Sequence, residues 1–407
     1  MKSRKLDFEV EHRARQCIAH GALTNSKRPE SFVKGVYPTH LKHGYGCRVV
    51  DTAGNEYVDF VAGLGTNLLG YGQDEITQAI AAQARLGCSL SLGTELEVKV
   101  AEKLKEFFPF VDRVRFLKTG SEAATAACII ARAYTRNNEI LSEGYHGFHP
   151  EFTSLTPPAY GVTTHRFIKK LESLERLAEP SPYRPAAVIV EPIVTDRTEA
   201  RIQWLKDLRK RCTETGVLLI FDEIITGFRF PNFSAAQQFD VMPDLICLGK
   251  AVGGGMPLSI VGGRADIMES DYFVSSTFAG ETVSLAAALK FLELLQSKKF
   301  SLDYLCAKAN EFQDKFNKIR PEIVSLQGYG TRGVFVGSDL NKALFMQECA
   351  KAGILIGPSF FFTFPHIEIM EQVLSTMADI LGRIHLGEVK IEGDLPQKPY
   401  AQKVREK

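Results

Sequence analysis

Residues 216–257 read GVLLIFDEIITGFRFPNFSAAQQFDVMPDLICLGKAVGGGMP. Two short, almost wholly apolar runs stand in it, Val217 to Phe221 and Leu245 to Leu248, and each gives way to an ionisable residue, Asp222 and Lys250. Runs so short and so continuously apolar fit strands buried on both faces of a parallel sheet. The pattern recurs upstream, in VRFLKTG ending at Gly120 and in AAVIVEP, where Glu191 follows the apolar residues. Helical stretches separate the runs. Glu122 to Tyr134 is Ala-rich and apolar on most faces, Arg201 to Thr215 is amphipathic and stops at Gly216, and a long helix is expected from Ser284 to Lys298. This rhythm predicts an α/β chain with a mostly parallel central sheet and a smaller α+β domain.

Further out the signals are weaker. CRVVDTAGNEYVDFVA, from Cys47 to Ala62, alternates around Ala53-Gly54-Asn55 and predicts a hairpin. We expect an N-terminal segment 1–45 that joins the small domain, a large domain over 46–295, and a C-terminal small domain over 296–407 with a frayed polar tail after Leu386. The chain has 407 residues, 45% of them hydrophobic and 24% charged, which excludes disorder and small disulfide scaffolds. A net charge of +1 offers no general footprint for nucleic acid or an anionic membrane. Eight cysteines without a CxxC argue against zinc and redox pairs and fit a reducing cytoplasm. MKSRKLDFEVEHRARQ carries charges throughout and lacks the apolar core of a secretion signal.

Ligands of open α/β sheets sit at the carboxyl ends of strands, which is where Glu191, Asp222 and Lys250 fall. Gly249-Lys250 is no phosphate loop, since GxxxxGK[ST] would need glycine at 244 and Ser or Thr at 251, where Asp244 and Ala251 stand. A lysine among glycine and apolar residues is desolvated, which favours its neutral amine and Schiff-base chemistry on a carbonyl. Asp222 supplies what pyridoxal phosphate then needs, a buried carboxylate to keep the pyridine nitrogen protonated. Ile224 is placed to pack on one ring face and Tyr145, in Tyr145-His146-Gly147, on the other. Thr119-Gly120-Ser121-Glu122 turns from strand to helix, where the N–H groups of Gly120 and Ser121 and the helix dipole suit a phosphate. Each residue alone also admits a plainer reading: a capping or solvated charge, a core Ile or a core Tyr.

Together these residues resemble the class III pyridoxal-phosphate-dependent aminotransferases, nearest the glutamate-1-semialdehyde aminomutase branch, over roughly residues 30 to 385. The motifs are TGSEA (119–123), YHG (145–147), VEP (190–192), FDEIITGFR (221–229), PDLICLGKAVGGGMP (243–257) and STFAGE (276–281). The resemblance implies fold type I, the aspartate-aminotransferase architecture, with Lys250 and Asp222 catalytic and Gly120, Ser121, Tyr145, Ile224 and Thr277 also at the cofactor. Thr277 resembles the threonine that reaches the phosphate of the neighbouring subunit, which implies a homodimer with shared sites. The chain departs from the family pattern at Lys118, where Asn or Ser is usual, and at Glu281-Thr282, where Asn-Pro is usual. Val194 and Asp196 replace a substrate-linked pair, and Arg332 is the one visible candidate for a substrate carboxylate.

Three functions follow. The first is an aminotransferase joining an amine donor to a carbonyl acceptor, with an amino-sugar or surface-polysaccharide precursor suggested by the Glu281-Thr282 variant. The second is a 2,1-aminomutase of the glutamate-1-semialdehyde type. The third, a catalytically silent regulator on the same fold, is disfavoured because both the lysine and the aspartate are present.

Overall fold

The computed structural model describes residues 5–149, 152, 168–178, 184–297 and 299–397. Lys298, the expected end of one helix, and the closing KVREK lie outside the described residues. In chain order the strands are β1 (Leu41–Tyr45), β2 (Arg48–Asp51), β3 (Glu56–Asp59), β4 (Arg113–Leu117), β5 (Ile140–Glu143), β6 (Ile168–Lys170) and β7 (Ala187–Val190). There follow β8 (Leu218–Asp222), β9 (Leu245–Leu248), β10 (Ser259–Gly263), β11 (Ser325–Tyr329), β12 (Arg332–Val336), β13 (Ile354–Leu355) and β14 (Phe360–Phe361). The chain divides into two compact units, Asp74–Leu302, and Met1–Gln73 with Asp303–Lys407.

Among the described residues, Asp74–Leu302 holds a seven-stranded sheet in the order β4-β10-β9-β8-β7-β5-β6. The pairs linking β6, β5, β7, β8 and β9 are parallel, while β10 runs antiparallel to both β9 and β4. Thus β4 points the same way as β9, and the mostly parallel sheet has a single reversed strand within it. Every residue of β7, β8 and β9 is buried, the reason their sequences show no alternation. The Ala-rich helix Gly120–Thr135 packs on β9 and β10 through Ala123, Ala124, Ala127 and Ala131, all fully buried. Small side chains let backbone approach backbone there, so a larger residue such as Leu at 127 would cost about 1–3 kcal/mol by overpacking. The expected helices are found at Glu199–Thr215 and Thr282–Gln296, within two residues of their expected starts.

Among the described residues, the other unit carries a four-stranded sheet β1-β2-β3-β13 and a three-stranded sheet β11-β12-β14. The expected hairpin is β2 and β3, with Val50 opposite Glu56. β2 pairs with β1, and β3 takes β13 as a parallel partner through Val58 and Ile354, so residues 46–73, expected in the large domain, stand in this unit. The core is aromatic: Phe60 stacks on Phe360 at 4.7 Å and on His366 at 4.1 Å between ring centroids. The tail after Leu386 is not frayed over its described part, which corrects the sequence expectation. Gln347 Nε2 donates to the Lys390 carbonyl at 2.9 Å, the Asp394 N–H to the Lys34 carbonyl at 3.0 Å, and the Gln397 N–H to the Glu30 carbonyl at 2.7 Å. Polar composition concealed a strap held through its backbone. Among the described residues no helix is long and apolar enough to cross a membrane.

Candidate active site

Because β4, β9, β8, β7 and β5 run parallel, their carboxyl ends share one edge of the sheet. Gly120 and Ser121 follow β4, Lys250 follows β9, Asp222 closes β8, Glu191 follows β7 and Tyr145 follows β5. The register sets Asp222 level with Cys247, so Lys250 comes three residues beyond the carboxylate. Glu143 pairs with Val190 and Val190 with Phe221, which puts the residues after them side by side on three strands.

Asp222 is 5% exposed. One carboxylate oxygen accepts the Ile224 N–H at 3.1 Å, and the other lies 2.8 Å from His146 Nδ1. The second ring nitrogen of His146 donates to the Glu143 carbonyl at 3.1 Å, so the buried ring fixes Asp222 against the end of β5. Ile224 is half-buried and lies under two glycines. A Cβ at Gly120 would stand 2.8 Å from its Cδ1, and one at Gly249 3.2 Å from its Cγ2. Glu223 serves a different end. Its carboxylate accepts from the Thr226 hydroxyl at 2.8 Å and from the N–H groups of Ala235 and Ala236 at 2.7 and 2.8 Å. Burial pushes its pKa up to about 7, against the pull of those donors.

The start of the Gly120–Thr135 helix is closed by a capping box. Glu122 Oε2 accepts the N–H groups of Lys118 and Thr119, both at 2.8 Å, and Thr119 Oγ1 accepts the Glu122 N–H at 3.2 Å. Gly120 and Ser121 are thereby left as first-turn N–H donors with no hydrogen-bond partner among the described residues. The Ser121 hydroxyl oxygen accepts the Phe148 N–H at 3.2 Å and keeps its own proton to donate. Gly147 lies against it with φ of +104°, and a Cβ there would sit 2.2 Å from Ser121 Oγ. Two first-turn donors, a hydroxyl and a glycine that cannot be enlarged fit an anion such as a phosphate.

Lys250 opens a short 3-10 turn, Lys250–Gly253, with φ of +48°, a conformation costing a non-glycine residue about 1–2 kcal/mol. Its side chain is half-buried. Tyr145, also half-buried, donates its N–H to Glu191 Oε2 at 2.9 Å. Thr277 is exposed, and its hydroxyl has no partner among the described residues. Asp196, exposed, accepts the Thr198 N–H at 2.9 Å ahead of the Glu199–Thr215 helix, and Arg332 is 1% exposed within β12.

Three contacts are absent from the sequence reading. His146 lay within the YHG motif without a role. Arg201 braces the edge, donating to both Glu143 oxygens at 2.9 and 3.1 Å and to the carbonyls of Glu191 and Pro192 at 3.0 Å. Lys118 and Glu281, noted separately as departures, form one ion pair of 2.9 Å. Among the described residues no three His, Cys, Asp or Glu are grouped to hold a metal ion.

The sequence profile of the family Aminotransferase class-III matches residues 33–156 and 133–384. A 3-aminobutyryl-CoA aminotransferase of Cloacimonas acidaminovorans is 35% identical over 318 residues, 75% of this chain and 76% of that protein. A glutamate-1-semialdehyde 2,1-aminomutase of Methanosarcina acetivorans is 34% identical over 358 residues, covering 80% and 82%. Among solved structures, the FumI protein of a Sphingopyxis species superposes with a TM-score of 0.87 at 24% identity, over 95% of this chain and 98% of that one. The ornithine aminotransferase of Toxoplasma gondii gives 0.78 at 25% identity, over 94% and 96%.

Proposed function

The chain belongs to the class III aminotransferases, with the fold-type-I architecture and pyridoxal phosphate as cofactor, and from that premise we propose that it moves an amino group between a donor amine and a carbonyl acceptor at the sheet edge bearing Lys250 and Asp222. The observation that carries the assignment to this edge is the buried Asp222 carboxylate, held between His146 and the Ile224 N–H beside the strand that leads to Lys250. A carboxylate desolvated to that degree is costly unless donors meet it, as His146 and the Ile224 N–H do on two sides, and a protonated pyridine nitrogen would add a third.

When bound, pyridoxal phosphate supplies an electron-poor ring that takes up the negative charge left on a substrate carbon after proton removal. Lys250 would hold the cofactor through its Nζ and then move a proton to and from that carbon. Asp222 would keep the pyridine nitrogen protonated, and His146 would fix the direction in which the carboxylate points. Ile224 and Tyr145 would flank the ring. The N–H groups of Gly120 and Ser121 and the Ser121 hydroxyl would bind the phosphate, where the helix dipole favours a dianion.

The working form in this reading is a homodimer in which Thr277 reaches the neighbouring protomer's phosphate. Support comes from apolar side chains left exposed on Asp74–Leu302: Leu86 at 74%, Leu92 at 85%, Phe273 at 86% and Phe278 at 56%. The Thr282 N–H donates to the Cys88 carbonyl at 2.8 Å, which ties the segment between Leu86 and Leu92 to the start of the helix that follows the Thr277 loop. Eight free thiols agree with a reducing cytoplasm.

Two substrate readings follow, and a turnover assay separates them. The amino-sugar or surface-polysaccharide acceptor rested on Glu281-Thr282, and both side chains have intramolecular partners: Glu281 pairs with Lys118, and Thr282 donates to the Gly87 carbonyl at 2.7 Å. The aminomutase reading is favoured by relatives such as the Methanosarcina acetivorans enzyme at 34% identity. Isomerisation of glutamate-1-semialdehyde with no added donor or acceptor supports the aminomutase. Turnover only when an amine and a keto-sugar nucleotide are both supplied supports the aminotransferase, and no turnover of either kind by the loaded enzyme overturns both readings.

A further inference from the structure

Two segments 163 positions apart are joined by one ion pair, Lys118 Nζ on Glu281 Oε2 at 2.9 Å, with each side chain 14% exposed. Lys118 directly precedes the residue that caps the Gly120–Thr135 helix, and its backbone N–H is already committed to Glu122. Glu281 is itself the cap of the Thr282–Gln296 helix. Its carboxylate accepts the Val283 N–H at 2.6 Å, the Ser284 N–H at 3.2 Å and the Ser284 hydroxyl at 2.6 Å. Burial raises its pKa, but the Ser284 hydroxyl and Lys118 outweigh it and leave the carboxyl below its ordinary value. The pair is therefore a charge-assisted bond between two helix starts, largely out of water, where loss of either member strands a charge.

What the bond restrains is the loop between Val274 and Glu281. That loop stands off β4 above a cleft lined by Glu97, Val98, Arg115, Phe116, Ser276 and Gly280. Its near end is held by Arg115, whose guanidinium donates to the Val274 carbonyl, and its far end by Lys118 on Glu281 and, one residue on, by the Thr282 bonds to the Gly87 and Cys88 carbonyls. Between the two holds lies exposed Thr277.

We propose that Lys118 and Glu281 are a positioning pair that fixes the Ser275–Gly280 loop to the start of the Gly120–Thr135 helix and so sets where Thr277 is presented. The proposal rests on the reading above, in which Thr277 serves the phosphate of the neighbouring protomer. It makes Lys118 a link between the anion site at Gly120 and the loop that completes the other protomer's site.

The test is a set of variants, Lys118→Met, Lys118→Arg, Glu281→Gln and the double Lys118→Met/Glu281→Gln, each examined with and without pyridoxal phosphate. Gln at 281 keeps an amide oxygen to cap the helix, and Met at 118 leaves the cap untouched, so folding is preserved in at least one single variant. In the protein stripped of cofactor, exchange of the loop's bonded amides, Ala279 on the Ser276 carbonyl and Glu281 on the Phe278 carbonyl, is expected to quicken about tenfold in Lys118→Met and to return toward the wild-type rate in Lys118→Arg. In the loaded protein, cofactor dissociation is expected to quicken about tenfold in each single variant and no further in the double, the mark of one shared interaction. Unchanged exchange in Lys118→Met overturns the restraint. Faster exchange with unchanged cofactor dissociation, or additive effects in the double variant, overturns the link to Thr277. A wild-type protein that retains no pyridoxal phosphate refutes the cofactor site instead, while the exchange measurement still decides the restraint.

Discussion

Asp222 and Glu223 are adjacent acids with opposite fates. Asp222 turns one oxygen to His146 and closes the strand at the sheet edge, whereas Glu223 turns inward to the N–H groups of Ala235 and Ala236 and pins the loop after β8. Asp222→Asn should keep the cofactor and lose several orders of magnitude in kcat, because an amide cannot hold the pyridinium proton. Steady-state kinetics with the cofactor spectrum checks this, and near-wild-type turnover would make Asp222 structural. Glu223 bears on stability. Its folded-state pKa of about 7 lies above the unfolded value of about 4.3, so between those limits the folded chain holds a proton that the unfolded chain has released. Its contribution to stability is therefore full below about pH 4 and declines as pH rises toward 7. Urea titrations of wild type and Glu223→Gln from pH 5 to 7 should show a shallower decline in the variant.

At the scale of elements, the site depends on how closely the turn after β5 meets the first turn of the Gly120–Thr135 helix. Gly147→Ala forces a Cβ to within 2.2 Å of Ser121 Oγ at a positive φ, and should cost about 2–4 kcal/mol together with cofactor retention. Thermal unfolding and cofactor binding of the purified variant measure both, and a variant as stable as wild type would contradict the packing. These elements were unequally legible in the sequence. Buried strands announce themselves as apolar runs, and the residue that ends each run is almost forced to the sheet edge, which is why Asp222, Lys250 and Glu191 could be placed. The direction of a strand leaves no such mark: SIVGG of β10 reads like its neighbours yet runs against them. Contacts between distant side chains are equally silent, so the bond from His146 to Asp222, the brace by Arg201 and the pairing of Lys118 with Glu281 required the fold. Composition misled at the tail, where Gln397 and Asp394 are held through backbone N–H groups that any residue but proline possesses.

At the scale of the whole molecule, the reading requires two chains per pair of sites. Lys250→Ala protein and a variant disrupting Thr277 and its loop neighbours should each be inactive, and should regain part of the activity when mixed under conditions that exchange subunits. One class of mixed site then carries both defects and the other neither. An active monomer, or a mixture that stays silent after proven exchange, would contradict shared sites. The claim beneath all of this is that Lys250 bears the cofactor. Reduction of the loaded enzyme with borohydride, followed by peptide mapping, tests it most directly: the reduced pyridoxyl group should be found on the peptide containing Lys250, and its recovery on any other lysine would contradict the account.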